Sequence, residues 1–284
     1  MKIFTKVEDI KKFAREQQSE GKIIGLVPTM GALHEGHMSL VKASMEKCDI
    51  TIVSVFVNPT QFGPNEDFEA YPRNFEQDVE KLQKAGVDAV FHPTPEEMYP
   101  TGYSTYVNVE GELTKKLCGA RRPGHFRGVA TVVTKLINIT HADEAFFGQK
   151  DAQQVAVVKR FTSDLNLSAN INMLPIIREN SGLALSSRNL YLSEEERQSA
   201  LSLSRGLKKA KSSYSAGERS SAALKKIIID EIEKEPLTSI DYVELVKYPS
   251  LENTEVVESE SLLAIAVFVG KTRLIDNIIL KAGD

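Results

Sequence analysis

Residues 22–57 read KIIGLVPTMGALHEGHMSLVKASMEKCDITIVSVFV, and the fold turns on how this stretch is parsed. It opens with an apolar run to Val27, passes through a turn carrying two glycines and two histidines, and continues as a helical segment from near Gly36. The second apolar run, Asp49 to Val57, is hydrophobic almost throughout, as a strand covered on both faces of a parallel sheet must be. Strand, helix and strand in this order make one βαβ unit.

The pattern repeats outward. Upstream, Thr5 and Glu8 have the spacing of a capping box, and Val7, Ile10 and Ala14 form one helical stripe that ends at Gly21. Downstream, Asn74 caps FEQDVEKLQKA, which stops at Gly86. VDAVF then reads as a strand, FRGVATVVTKLINIT as a helix, ADEAFF as a strand and KDAQQVAVVKRFTSDL as a helix, and ANINMLPII closes the series. This alternation predicts an α/β fold, a Rossmann-like doubly wound parallel sheet, over residues 1–176. Ligands of such sheets sit beyond the carboxyl ends of the strands, which singles out the loops after Val27, Val57 and Phe147.

The texture changes from residue 177. RENSGLALSSRN is a polar, glycine-containing connector. Ser193 with Glu196 caps a long helix, and a second amphipathic helix covers about 221–233. IDYVELVKY, SLLAIAVFVG and TRLIDNIIL read as three strands. Helices followed by strands indicate a smaller C-terminal α+β domain, 177–284, placed to close over the site.

A chain of 284 residues can bury about three quarters of its unfolded surface and usually divides into more than one core, in line with two domains. Its formal net charge of -4 opposes a broad grip on nucleic acid. Cys48 and Cys118 are too few for a disulfide framework. The N-terminal segment is broken by charges every few residues, unlike a signal peptide, and no stretch approaches the roughly 20 apolar residues of a membrane span. A cytoplasmic location is expected.

The histidine turn allows several chemistries. A zincin helix needs HExxH, whereas HEGH sets His34 and His37 three apart with a glycine between them and no evident third ligand. The dinucleotide fingerprint GxGxxG is absent, and VGKT at Val269 lacks the first glycine of a phosphate loop, so it reads as a strand and its turn. A strand leading into a helix does aim backbone N–H groups and the positive end of the helix dipole at one spot, where both histidines could donate to phosphate oxygens. One surface histidine and one packed histidine would fit these residues as well.

The wider context narrows this. HxGH resembles the signature of the nucleotidyltransferase superfamily. The string PTMGALHEGHMSL, followed in order by FVNPTQFGPNEDFEAYPR, RPGHFRGVATVV, FFGQKDAQQ and LALSSRNLYLS, resembles the pantoate–β-alanine ligase family. The resemblance implies ATP-dependent condensation of pantoate with β-alanine through a pantoyl adenylate, with release of pyrophosphate and AMP. It implies ATP contacts from Met30, Gly31, His34, Gly36, His37, Gly148, Gln149, Lys150, Asp151, Ile177, Leu185, Ser186, Ser187 and Arg188. His37, His34, Lys150 and Arg188 would carry the catalysis, with His37 as first choice for a proton donor or phosphate contact. Gln61 and Gln154 would hold pantoate, Gln61 also near β-alanine. A glutamine amide can both donate and accept there.

Tyr71 and Arg73 lie in a long loop of the kind that covers sites. Arg122 and His125 are either sources of positive charge or surface residues. The charge of ATP would favour charged imidazoles and calls for Mg2+, held mainly by ATP and water because no carboxylate cluster marks a metal site. A homodimer is expected from the resemblance, and the apolar strand Asp49–Val57 is compatible with one. Cys118 departs from the pattern, since many relatives carry glutamate there. A buried, inert thiol is expected.

Overall fold

The computed structural model describes residues 1–64 and 66–281. Asn65, one position of the motif Phe56–Arg73, lies outside them. The chain divides into two compact units, which are taken separately. The first comprises residues 1–110, 121–148 and 157–174; the second comprises 111–120, 149–156 and 175 onward.

The first unit holds a six-stranded sheet, β1 (Lys2–Phe4), β2 (Ile24–Thr29), β3 (Ile50–Val55), β4 (Ala89–Phe91), β5 (Glu144–Gly148) and β6 (Asn170–Leu174). Its order is β1-β4-β3-β2-β5-β6, and every pairing is parallel. The helices are α1 (Val7–Ser19), α2 (Glu35–Lys47), α3 (Phe75–Ala85), α4 (His125–Thr140) and α5 (Ala152–Asp164), whose first turn belongs to the second unit. Leu26 and Val27, and likewise Ile52 and Val53, point to opposite faces and are all fully buried, so the sheet is covered on both sides. One face packs Val27, Val53, Val55, Val90 and Phe146 against Leu40, Val41 and Leu82 of α2 and α3.

The chain runs from β2 outward to β3 and β4, then returns to place β5 on the other side of β2. That reversal opens a crevice beyond the carboxyl ends of β2 and β5. The histidine turn follows β2, and Gly148 ends β5.

Two sequence expectations change here, and one strand was not anticipated. β1 carries no signal in three residues, yet it pairs with β4 at the sheet edge. The Thr5/Glu8 capping box does not form. Lys6 occupies the cap position without a side-chain bond, and Glu97 instead accepts from the Val7 N–H at 2.8 Å. The strand 49–57, thought compatible with dimerisation, lies inside the sheet between β2 and β4, so its edges are already paired.

The second unit contains α6 (Glu194–Ser215), α7 (Ser221–Ile232) and an antiparallel sheet of β7 (Thr238–Lys247), β8 (Ser261–Val269) and β9 (Thr272–Leu280), in that order. Ser193 and Glu196 form the expected capping box of α6. Leu203, Leu207 and Tyr214 of α6 meet Leu224 and Ile228 of α7 and Leu263, Ile265 and Val267 of β8 in one core. Gly270 and Lys271 make the turn after β8, so VGKT is a strand and its turn.

Candidate active site

The histidine turn is shaped from outside itself. Gly31 and Ala32 both adopt the left-handed region, at φ 83° and 49°. Asp78, nearly inaccessible on α3, accepts from the Ala32 N–H at 2.9 Å and the Leu33 N–H at 2.8 Å, and Lys81 donates to the Leu33 carbonyl. Burial raises the Asp78 pKa, while the two N–H groups and the Lys81 charge oppose that rise. A Cβ on Gly31 would lie 3.0 Å from Asp78 Oδ2, so glycine is needed for the carboxylate's approach as well as for the backbone.

The two histidines cap α2 together. Gly36 N–H donates to His34 Nδ1 at 3.1 Å, and His34 N–H donates to His37 Nδ1 at 3.3 Å. An Nδ1 that accepts cannot carry the ring proton, so each neutral ring holds it on Nε2. The rings lie 4.1 Å apart, centroid to centroid. With each Nδ1 accepting a backbone N–H, Nε2 is the ring atom of each histidine left to carry a proton. Both stand at a helix N-terminus, where an anion is favoured.

Gln61 ends a short helical turn, Pro59–Gln61, after β3. It is buried, and its Nε2 lies 3.0 Å from Met30 Sδ, which brings it to the histidine turn. Asn58 caps this turn and donates to Gln61 Oε1 at 3.1 Å. α4 lies directly on the turn, since a Cβ on Gly128 would meet the Thr60 carbonyl at 2.3 Å. His125 is buried, not at the surface. Its Nδ1 is 2.8 Å from the Gln61 carbonyl, and Arg122 Nη1 is 3.1 Å from its Nε2. Arg122 can only donate, so His125 donates through Nδ1–H and steadies the Gln61 backbone. The Arg122 charge is met by Glu66 at 2.8 Å. Burial would raise the Glu66 pKa, but Arg122 holds it below the usual value. These two residues therefore brace Gln61 instead of supplying positive charge. Arg73 likewise donates to the carbonyls of Phe68, Glu69 and Tyr71 and ties its own loop, while Tyr71 is buried.

At the end of β5 a Cβ on Gly148 would meet nothing within 4 Å, so protein packing does not demand the glycine. In the second unit, Gln149–Asp151 form a tight turn before α5. Asn277 of β9 clamps it, donating to the carbonyls of Gln149 at 2.9 Å and Lys150 at 3.0 Å and accepting from Gln149 Nε2 at 3.2 Å. The backbone is fixed, yet the half-buried Lys150 ammonium has no hydrogen-bond or ion-pair partner among the described residues. Asp151 is exposed. Gln153 is consumed by structure, donating to the carbonyls of Leu113 and Lys116 and accepting from the Cys118 N–H. The half-buried Gln154 side chain has no such partner among the described residues.

Ile177 and Leu185 face each other across the connector, the Leu185 N–H donating to the Ile177 carbonyl at 3.0 Å. Arg178 grips the buried Asp276 with both guanidinium arms, at 2.6 and 2.9 Å. Glu179 accepts from Arg197 and from Asn189. Ser186 then caps the turn Ser187–Tyr191 by accepting from the Arg188 N–H, with Ser187 buried.

The sequence model of the pantoate-β-alanine ligase family matches residues 2–279. The chain belongs to the pantoate-β-alanine ligase family. It is 55% identical over 280 residues to the pantothenate synthetase of Pelotomaculum thermopropionicum, with 99% of each chain covered, and 57% identical over 279 residues to that of Clostridium novyi, with 98% of each covered. Among solved structures it resembles pantothenate synthetase from Thermus thermophilus, with TM-score 0.93, 40% identity and coverage of 98% of this chain and 99% of that one. A pantoate-β-alanine ligase from Francisella tularensis, complexed with β-γ ATP and β-alanine, aligns with TM-score 0.80 and 33% identity over 98% of this chain and 97% of that one. As a member of this family the chain is an amide-forming ligase that joins pantoate to β-alanine.

For such a ligase, several supporting residues escaped the sequence reading. Asn58 stands inside a quoted motif, and an asparagine before proline at a strand's end is a cap signal. Asp78 and Asn277 act across 46 and 128 residues, and no local pattern marks them. Cys118 is less buried than expected. It is half-buried, 3.3 Å from the Tyr242 hydroxyl and 3.7 Å from the Arg273 guanidinium, which also pairs with Asp241. A carboxylate at position 118 would meet that same guanidinium.

Proposed function

We propose that this ligase activates pantoate with ATP. A pantoate carboxylate oxygen attacks the α-phosphorus and pyrophosphate leaves, giving pantoyl adenylate. The β-alanine amine then attacks the acyl carbon, the acyl C–O bond breaks with departure of AMP, and the amine gives up a proton. No protein nucleophile is needed, so the protein contributes positioning and charge neutralisation.

The observation that carries this reading is the histidine pair held by backbone N–H groups at the N-terminus of α2. His34 and His37 are assigned to the phosphates, with Met30, Gly31 and Gly36 lining the nucleotide. Gly148, Gln149, Lys150 and Asp151 are assigned to the nucleotide from the second turn, and Ile177, Leu185, Ser186, Ser187 and Arg188 from the connector. Gln61 and Gln154 are assigned to pantoate. Support for ATP and β-alanine comes from the Francisella relative, which was obtained with an ATP compound and β-alanine.

Mg2+ would arrive with ATP, neutralise phosphate charge, and be held mainly by ATP and water. No group of three or more His, Cys, Asp or Glu suited to a metal occurs among the described residues. A cytoplasmic homodimer completes the proposal. Both cysteines are free thiols, and no helix among the described residues is long and apolar enough to cross a membrane.

Exchange of labelled pyrophosphate into ATP tests the scheme. Exchange should require pantoate and proceed without β-alanine, while net AMP release should require both. AMP release that ignores β-alanine would overturn it.

A further inference from the structure

The amide of Gln61 has one orientation that fits its neighbours, and this orientation is set by a residue outside the assigned contacts. Asn58 Oδ1 lies 3.3 Å from the Thr60 N–H, 2.9 Å from Thr60 Oγ1 and 2.7 Å from the Tyr99 hydroxyl. The backbone N–H can only donate, so the Asn58 atom facing all three is the oxygen. Its NH2 group then faces the other way, 3.1 Å from Gln61 Oε1 and 3.3 Å from the Gly128 carbonyl. The Gln61 oxygen is thereby engaged within the protein. Its Nε2 is turned to Met30 Sδ, a weak acceptor that a substrate oxygen would outcompete.

Tyr99 makes the shortest of the three contacts on Asn58 Oδ1. It follows the helical turn Pro95–Met98 after β4 and is held by ring contacts with Phe56 and Tyr103 at 6.3 and 5.0 Å. Its hydroxyl also lies 3.3 Å from Thr60 Oγ1, closing a triangle with Asn58. Burial pushes its pKa up to about 12, so the phenol stays a donor across the physiological range.

We infer that Tyr99 is a positioning residue which, through Asn58, presents Gln61 to pantoate as a hydrogen-bond donor and not as an acceptor. The inference rests on the proposed pantoate role of Gln61 and narrows it. At Gln61 the site selects a substrate oxygen with a lone pair to offer, such as a carboxylate or hydroxyl oxygen. A group that can only donate meets no acceptor there.

Steady-state kinetics of Tyr99→Phe, Gln61→Ala and Gln61→Glu test this, with thermal unfolding of each variant as a control. Tyr99→Phe keeps the ring packing and removes one hydrogen bond. It should raise the KM for pantoate about three- to tenfold and leave the KM for ATP and kcat at saturating pantoate within about twofold. Gln61→Glu can still accept from Asn58 but offers pantoate no donor, so it should damage pantoate KM at least as severely as Gln61→Ala. An unchanged pantoate KM in Gln61→Ala would defeat the assignment of Gln61 to pantoate. With Gln61→Ala impaired, the positioning role is overturned if Tyr99→Phe matches the wild type. It is also overturned if Tyr99→Phe lowers the melting temperature and impairs ATP and pantoate alike, or if Gln61→Glu retains pantoate binding.

Discussion

Two turns follow strands of one sheet, and they are built in opposite ways. After β2, side chains are committed to the protein. Each histidine accepts a backbone N–H, Asp78 holds the loop, and the oxygen of the neighbouring Gln61 is taken by Asn58. After β5 the backbone and the Gln149 amide are committed, through Asn277, while the Lys150 and Gln154 side chains have no such partners among the described residues. The first turn offers side chains aimed in advance, which cost no reorganisation when charge develops. The second offers a charge on a flexible stem that can follow a phosphate as it moves. Fixing a dipole requires a scaffold, whereas an ammonium needs only an anchored base.

The contrast is open to attack at four points, taken from the largest expected effect to the smallest. Lys150→Ala should lower kcat by about two to three orders of magnitude, the scale for losing one transition-state donor, with the melting temperature unchanged because nothing structural leans on the ammonium. A matching fall in melting temperature would erase the distinction between the turns. His37→Ala should cost about a hundredfold in kcat and also about 0.5–2 kcal/mol of stability, since the cap of α2 goes with it. Chemical denaturation beside kinetics would show whether both losses occur together. Asp78→Asn retains one acceptor but turns an NH2 toward a backbone N–H. It should destabilise by about 1–3 kcal/mol and lower kcat more modestly, with the histidine turn loosened.

The last point lies away from both turns. Glu231 accepts from Lys209, Lys234 and Arg205, and these partners lower its pKa to about 2. A carboxyl lowered on folding adds stability that is complete above its unfolded value of 4.5 and disappears as pH falls toward 2. Glu231→Gln should therefore flatten stability against pH between about 4.5 and 2 while leaving kcat untouched. A change in kcat would mean that this ion-pair cluster acts on the chemistry.

How much of this was legible beforehand follows the same division. The stretch 22–57 showed its strand, turn and helix directly, because period and composition are local properties. Its histidines could be placed at a helix start, yet which ring nitrogen meets a backbone N–H could not be read. Gln61 stood out as a substrate contact, but the direction of its amide is decided by Tyr99 and Asn58. Glu97 took over the start of α1 from the Thr5/Glu8 pair, a tertiary contact overriding a good local signal. β1 was too short for any period to register.

The clamp on the Lys150 turn has a consequence in time as well as in space. Asn277 follows Gln149 by 128 residues, so a growing chain exposes the turn well before the strand that fixes it exists. At about 5–20 residues per second, the wait on the ribosome is roughly ten seconds. Throughout that interval the nascent protein already carries its lysine and glycine but lacks the part that gives them a shape. If the turn binds nucleotide as proposed, that competence is a late event in the life of each molecule, however early its motif is translated.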